Sequence, residues 1–387
     1  MKRVAGALVL LAALVPVLGP GLVEAHFNEV APGFPRPVSE AARRIHETLL
    51  VADLHSDALL WGADLAKRRA RGHVDLPRLR EGRVAIQGFS VVTQTPRGLN
   101  YDRNVPDSDN VTLLALVQLW PPGTWSSLLE RALYQAGRLN GQAARSDGRF
   151  VVLRTRADLD AFLERRRRET DLVSGFLAIE GAHAMGDDPA NVDALFAAGY
   201  RMMAPTHFFD NAFGGSAHGA TKGGLTAAGR EMIRRMEAAG MALDLAHASP
   251  ATFAEAIAAT TKPVVVSHTG VQATCPGPRN LTDEQLRAVA ATGGVIGIGF
   301  WDSAVCGHDA RAIARAIRHA ASVAGVEHVA FGSDFDGAVT TPFDAAGMSE
   351  TTQALLAEGF GEEQIRLIAG DNVVRALRHT LPRGGQP

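Results

Sequence analysis

Lysine is almost missing from this chain. Four of the 39 basic residues are lysine (Lys2, Lys67, Lys222 and Lys262) and arginine supplies the other 35. Cysteine is scarcer still, with Cys275 and Cys306 the only two. A chain of 387 residues buries about three quarters of its unfolded surface, so it needs no disulfide to fold. A basic excess is lacking too. The formal charge is −2, which excludes a nucleic-acid footprint over the whole chain. Beyond Leu18 no apolar run is long enough to span a bilayer. The sequence holds no internal repeat and, past residue 25, no low-complexity block. No Gly-x-Gly-x-x-Gly fingerprint opens the first strand–helix unit, and no Gly-x-Ser-x-Gly elbow occurs. The first absence ranks an open dinucleotide-binding sheet low, and the second leaves a serine hydrolase without support.

What is present is ordinary globular material, 46% hydrophobic and 21% charged, which excludes wholesale disorder. The first 25 residues stand apart. Lys2 and Arg3 precede an apolar run, Val4 to Leu18, broken by Gly6 and Pro16; Gly19-Pro20-Gly21 and then Val23-Glu24-Ala25 follow. That is the order of a secretory signal, with cleavage expected after Ala25. The chain is therefore expected to be exported, periplasmic or extracellular; the alternative is tethering by an uncleaved segment. Residues 26–381 are expected as the working domain and 382–387 as a loose tail. In an oxidising compartment an even cysteine pair fits one bridge. Two buried free thiols fit the sequence equally, because bridging depends on Cα spacing.

Eight apolar, β-branched runs end at polar residues: Leu50–Leu54, Val84–Val92, Gly175–Glu180, Met202–His207, Met241–His247, Val264–His268, Gly294–Phe300 and Val329–Asp334. Helical patterns separate most of them. Ser249-Pro250 reads as an N-cap with proline at the first helical position. Thr282 to Gln285 has the capping-box spacing, and Gly293 follows as a helix stop. Alternating strands and helices predict an α/β fold, a (β/α)₈ TIM barrel. Residues 93–174 are too many for one connection. They are expected as an inserted helical segment between strands 2 and 3, with helices near Val111–Leu119, Ser127–Gly141 and Arg156–Arg168. The four-arginine run Arg165–Arg168, flanked by Glu164 and Glu169, reads as a solvated helix face rather than an anion patch.

Catalytic groups of such barrels sit at strand C-termini. The strand ends here carry His55-Ser56-Asp57, Glu180, His207, His247, His268 and Asp334. Four of the 13 histidines and three carboxylates on one face are hard to explain by packing, because buried charges need partners or metal. Strand side chains alternate, so His55 and Asp57 share a face. Imidazole and carboxylate suit Zn²⁺ or a similar cation. The reading is His55 and Asp57 on one ion, His247 and His268 on another, Glu180 bridging, and a hydroxide clamped between ions ~3.5–4 Å apart. Asp334 is left to accept the proton of that water and pass it to a leaving amine. None of the four lysines ends a strand. A Schiff-base aldolase and a barrel hydrolase bridged by a carboxylated lysine are both disfavoured.

At these residues the chain resembles the membrane dipeptidase (renal dipeptidase) family of the metal-dependent amidohydrolase superfamily. The matching segments are Asp53-Leu54-His55-Ser56-Asp57, Ala178-Ile179-Glu180-Gly181-Ala182-His183, Thr206-His207 and Asp244-Leu245-Ala246-His247-Ala248-Ser249. They continue through Ser267-His268, Arg279-Asn280 and Gly332-Ser333-Asp334-Phe335-Asp336-Gly337. The likeness runs from Leu50 to Leu381 and is weakest over residues 93–174. It implies a two-zinc dipeptidase. His55, Asp57 and Glu180 would hold one ion, and Glu180, His247 and His268 the other. His207 would contact the substrate carbonyl or the tetrahedral intermediate, Arg279 would pair with the substrate's C-terminal carboxylate, and Asp334 would be the acid/base. The resemblance also implies a Cys275–Cys306 bridge, since relatives carry cysteines before the Arg-Asn pair and after the next strand. It leads to an expected homodimer as well. Where relatives often have His-Asn-Asp, this chain has His55-Ser56-Asp57, which keeps both ligands. No C-terminal hydrophobic tail is present, so a membrane anchor is not carried over.

Two other assignments fit the same residues. An amidohydrolase acting on N-acyl amino acids or β-lactams would use the same residues. A non-catalytic peptide-binding barrel would keep the fold alone. Asp334 is preferred to Asp336 because it directly ends the strand. His183 is read as a non-ligand and His218 as a loop residue lining the mouth at best; His308, His319 and His328 are read as surface or helix positions.

Overall fold

The computed structural model describes residues 19–62 and 64–384. Among the described residues nine strands make one parallel sheet: β1 (Val51–Ser56), β2 (Val84–Phe89), β3 (Phe150–Val152), β4 (Val173–Ile179), β5 (Tyr200–Met203), β6 (Ala242–Leu243), β7 (Val265–Thr269), β8 (Val295–Ile298) and β9 (Val329–Phe331). Eight run in the order β6-β5-β4-β2-β1-β9-β8-β7. The two ends of that path meet at a parallel bridge between Asp244 and Val265, where Leu245 N donates to Val265 O at 2.8 Å. The sheet thus curls into the expected α/β barrel. Each of its eight strands falls on one of the eight apolar runs. All residues of these strands are buried, and strands covered on both faces read as continuous apolar stretches rather than alternating ones.

The insertion after β2 carries helices at Asn110–Val117, Leu128–Ala144 and Arg156–Arg166. It also carries β3, which pairs with β4 from Phe150 opposite Val173 to Val152 opposite Gly175. The insertion is therefore not purely helical. Three residues are too short a run to register as a strand in sequence, and β3 exists because β4 offers it an edge.

Local signals hold where they concern caps. Ser249 Oγ accepts from Thr252 N with Pro250 at the helix start. Thr282 and Gln285 form the reciprocal capping box, and Gly293 follows with φ +78°. In the arginine run, Arg165, Arg167 and Arg168 make exposed ion pairs with Glu169 and Glu164. Arg166 differs: its guanidinium is buried and donates to Leu172 O.

Most of the expected export signal, residues 1–18, lies outside the described residues. Residues 19–27 are helical. Glu24 in that helix is buried, paired with Arg69 and, at 3.6 Å, with Arg71. Among the described residues no helix is long and apolar enough to cross a membrane. At the other end, Pro382 O accepts from Arg156 N at 2.9 Å, so the expected tail begins on an anchored residue.

His46, on the helix Glu40–Thr48, shows how burial sets pH-dependent stability. Its Nδ1 lies 2.9 Å from Thr352 Oγ1 and its Nε2 3.1 Å from Gly82 O. A neutral ring donates from Nε2 and accepts at Nδ1; the imidazolium has no acceptor to offer. Burial lowers its pKa to about 4. The unfolded chain, with an ordinary histidine near 6.5, binds the proton first. The stability from the neutral ring is present above pH 6.5 and is lost as pH falls toward 4, by about 3 kcal/mol for a shift of this size. His46→Gln should retain both hydrogen bonds. Urea titrations at pH 7 and pH 4.5 should show a smaller acid loss in the variant; an unchanged loss would contradict the assignment.

Candidate active site

The strand C-termini converge on one buried cluster. His55 lies in β1 with Asp57 just after it, Glu180 follows β4, His207 lies beyond β5, His247 beyond β6, His268 in β7 and Asp334 beyond β9. All seven are buried. The two oxygens of Glu180 face different partners. Oε1 lies 2.8 Å from His247 Nε2 and 3.1 Å from His268 Nε2. Oε2 lies 3.8 Å from His55 Nε2 and 3.4 Å from His207 Nε2. Asp57 Oδ1 and Asp334 Oδ1 approach His55 Nε2 at 3.6 and 3.8 Å. His247 Nε2 and His268 Nε2 stand 3.1 Å apart.

Such a cluster is costly without a cation. His55 Nε2, Asp57 Oδ1 and Glu180 Oε1 are buried and have no hydrogen-bond partner among the described residues, and an unpaired buried polar group is destabilising. Three sets of potential ligand atoms lie within 4.8 Å of one another: His55, Asp57 and Glu180; Glu180, His207 and His247; and His55, His268 and Asp334. Imidazole nitrogens and carboxylate oxygens at this density form a donor set that fits borderline divalent ions. His207 belongs to one of these sets, although the family resemblance implies contact with substrate. Two of the groups also sit on strained backbone, His247 and Asp334 both having φ +62°. Non-glycine residues adopt that region rarely, and mostly where a site demands it.

The electrostatics follow the crowding. Burial disfavours the charged His55 ring, but Glu180, Asp57 and Asp334 more than offset it and hold its pKa at about 10. Burial, reinforced by neighbouring Asp57 against the pull of His55, raises Asp334 to about 8. Burial drives His247 and His268 well below the usual histidine range, with Arg279 adding to the effect on both. Asp336 is committed elsewhere. Its carboxylate accepts from His73 N at 2.6 Å and Val74 N at 3.1 Å, which leaves Asp334 as the aspartate facing the cluster.

Arg279 is positioned by its neighbour. Asn280 Oδ1 accepts from Gly270 N at 2.9 Å, and its Nδ2 donates to Cys275 O at 2.7 Å and Ser303 O at 3.0 Å. This pins the loop after β7 to the loop after β8. Arg279 is buried, with Nη2 unpartnered among the described residues and its guanidinium carbon 5.6 Å from the Trp301 ring. The Cys275–Cys306 disulfide joins the same two loops, Cα to Cα 5.3 Å. With its two cysteines 31 positions apart, the bridge stabilises by about 3–4 kcal/mol in the loop-entropy model. Cys275→Ala/Cys306→Ala should lower the denaturation midpoint accordingly under oxidising conditions; a midpoint equal to wild type would show that the bridge contributes nothing.

Several wall residues escaped the sequence reading. Tyr101, from the insertion, packs against Phe208 and His218 at 6.0 and 5.2 Å between ring centroids, and its hydroxyl accepts from Trp301 Nε1 at 3.1 Å. His218 is not a mouth residue: it is fully buried, stacks on Phe208 at 4.9 Å and lies 5.3 Å from the His247 ring. His183 is buried with both ring nitrogens unpartnered among the described residues and lies outside the three ligand groups. Loop positions of this kind carry no periodic signal.

A (β/α)₈ barrel that gathers imidazoles and carboxylates on its strand ends is the scaffold of a metal-dependent hydrolase. Residues 39–382 match the membrane dipeptidase family (peptidase family M19), and the chain belongs to that family. It is a metallo-dipeptidase, a hydrolase of peptide bonds. Among curated relatives, an uncharacterised protein from the pqqA 5′ region of Klebsiella pneumoniae is 33% identical over 252 residues, covering 61% of this chain and 91% of its own. An uncharacterised dipeptidase of Schizosaccharomyces pombe is 26% identical over 334 residues, 81% of this chain and 74% of its own. Among solved structures, the dipeptidase AC superposes with a TM-score of 0.73 at 27% identity, over 86% of this chain and 99% of that one. A metallopeptidase of Rhodobacter sphaeroides, liganded with a phosphinate mimic of the dipeptide L-Ala-D-Ala, gives 0.70 at 26% identity, with the same coverage.

Proposed function

We propose that this protein hydrolyses dipeptides with two divalent ions, zinc by donor type, bound on either side of Glu180. The division of the Glu180 oxygens between two sets of imidazoles carries this reading. His55, Asp57 and Glu180 would hold one ion and Glu180, His247 and His268 the other. Bound there, divalent cations polarise a substrate carbonyl and make a nucleophile of water near neutral pH.

The chain's own groups supply the rest. The Arg279 guanidinium takes the C-terminal carboxylate through its planar fork. His207 Nε2 donates to the substrate carbonyl oxygen. Asp334 receives one proton of the attacking water and delivers it to the amide nitrogen as the C–N bond breaks. The water oxygen and its other hydrogen stay on the new carboxyl group. The Rhodobacter sphaeroides relative, with its dipeptide mimic, supports a dipeptide as the substrate. The disulfide supports export, because such bridges persist in oxidising compartments.

Anomalous diffraction at the zinc edge from crystals of the holoenzyme tests the assignment. Two peaks flanking Glu180 are expected. A single peak, or peaks away from Glu180, would reject it.

A further inference from the structure

Ser267 immediately precedes His268 in β7 and is fully buried. Its Oγ lies 3.2 Å from His55 Nδ1 and 2.9 Å from His268 Nδ1. The two rings lie against each other with centroids 3.7 Å apart and planes tilted by 33°. Their Nε2 atoms point into the carboxylate cluster, His55 toward Asp57 and Glu180, His268 toward Glu180 and His247. A single hydroxyl thus touches the far side of one imidazole from each half of the site.

We propose that Ser267 is a positioning residue that fixes the tautomers of both histidines and so couples the two ion sites. This rests on the two-ion reading above. A neutral imidazole carries one hydrogen, and the nitrogen that binds an ion must offer its lone pair. For Nε2 to be free on both rings, both hydrogens must sit on Nδ1. A hydroxyl oxygen can accept two hydrogen bonds, so Ser267 Oγ can receive both. Were the hydroxyl to donate to either ring, that ring would keep its hydrogen on Nε2 and lose its ligand lone pair. His247 has no such partner: its Nδ1 is unpaired among the described residues.

The hydroxyl is held where it can do this. Ser267 N donates to Asp244 Oδ1 at 2.9 Å, and the same oxygen accepts from Ala246 N at 3.0 Å. The aspartate therefore ties β7 to the turn that presents His247. Ser267 O packs against Gly297 and Gly332, where a Cβ would come within 2.1 and 1.9 Å of it. Only glycines there allow the three strands to approach so closely.

The test loads the full-length protein with ¹¹³Cd²⁺ and reads its NMR signals and its competition with a chelator. Wild type should give two ¹¹³Cd resonances. Ser267→Ala should shift both and weaken both ions by roughly 10–100-fold, the usual effect of losing a group that orients a ligand; Ser267→Thr, which retains the hydroxyl, should restore them. Weakening of one ion only, or of neither, would overturn the proposal. Two wild-type resonances with an indifferent Ala variant would leave the two-ion reading intact; one wild-type resonance would overturn both. Should the variants fold poorly, ¹⁵N-histidine spectra of cadmium-loaded wild type decide alone. Both His55 and His268 should carry hydrogen on Nδ1, and a bare Nδ1 on either contradicts the proposal.

Discussion

Glu180→Ala is expected to lower kcat/KM for a dipeptide by about three orders of magnitude or more, because a divalent ion supplies several kcal/mol of transition-state charge stabilisation. Glu180 faces both imidazole sets, with one oxygen 2.8 and 3.1 Å from His247 and His268 and the other 3.8 Å from His55. Its removal strips a ligand atom from each half of the site. Glu180→Gln should lose nearly as much, since an amide offers one oxygen where two are needed. His247→Ala removes a ligand from one half only; it should cost heavily in activity yet leave the other half able to hold an ion. Equal ion content in Glu180→Ala and wild type would break the link between geometry and loss.

Arg279→Met is expected to penalise a dipeptide far more than its C-terminal amide. The buried guanidinium sits on a loop fastened by Asn280 and by the disulfide, so the backbone that carries it is held in place. Two charge-assisted hydrogen bonds to a carboxylate, at about 1.5–3 kcal/mol each, amount to a loss of roughly 10²–10⁴-fold in kcat/KM. The amide should already lack most of that on wild type and lose little more on the variant. Anchoring the chain end at Arg279 would leave only the last peptide bond beside the nucleophile, which is the length selection expected of a dipeptidase. An equal penalty on both substrates would mean that Arg279 does not read the carboxylate.

The barrel was legible because each of its strands is buried on both faces and so reads as an unbroken apolar run that stops at a polar residue. His55, Glu180, His207, His247, His268 and Asp334 stood out as those stops. β3 was not legible; three residues become a strand only when β4 lies alongside. Tyr101 reaches the site from the insertion, Phe208 and His218 from the loop after β5 and Trp301 from the loop after β8, and such loop positions carry no periodic signal. Ser267 looks like any strand serine until both Nδ1 atoms are seen around it. The cysteine pair stayed open on residues alone, since only the 5.3 Å Cα separation decides it. Strand position favours Asp334 over Asp336 in the sequence, and the structure adds that Asp336 accepts from the amides of His73 and Val74.

The central claim is that two ions flanking Glu180 carry dipeptide hydrolysis. Chelated protein titrated with Zn²⁺, with turnover of a small dipeptide panel followed at each addition, tests it most directly. The account predicts negligible activity without metal and a rise that levels off at two ions per chain. Full activity below one ion per chain, or hydrolysis undiminished by chelation, would contradict it.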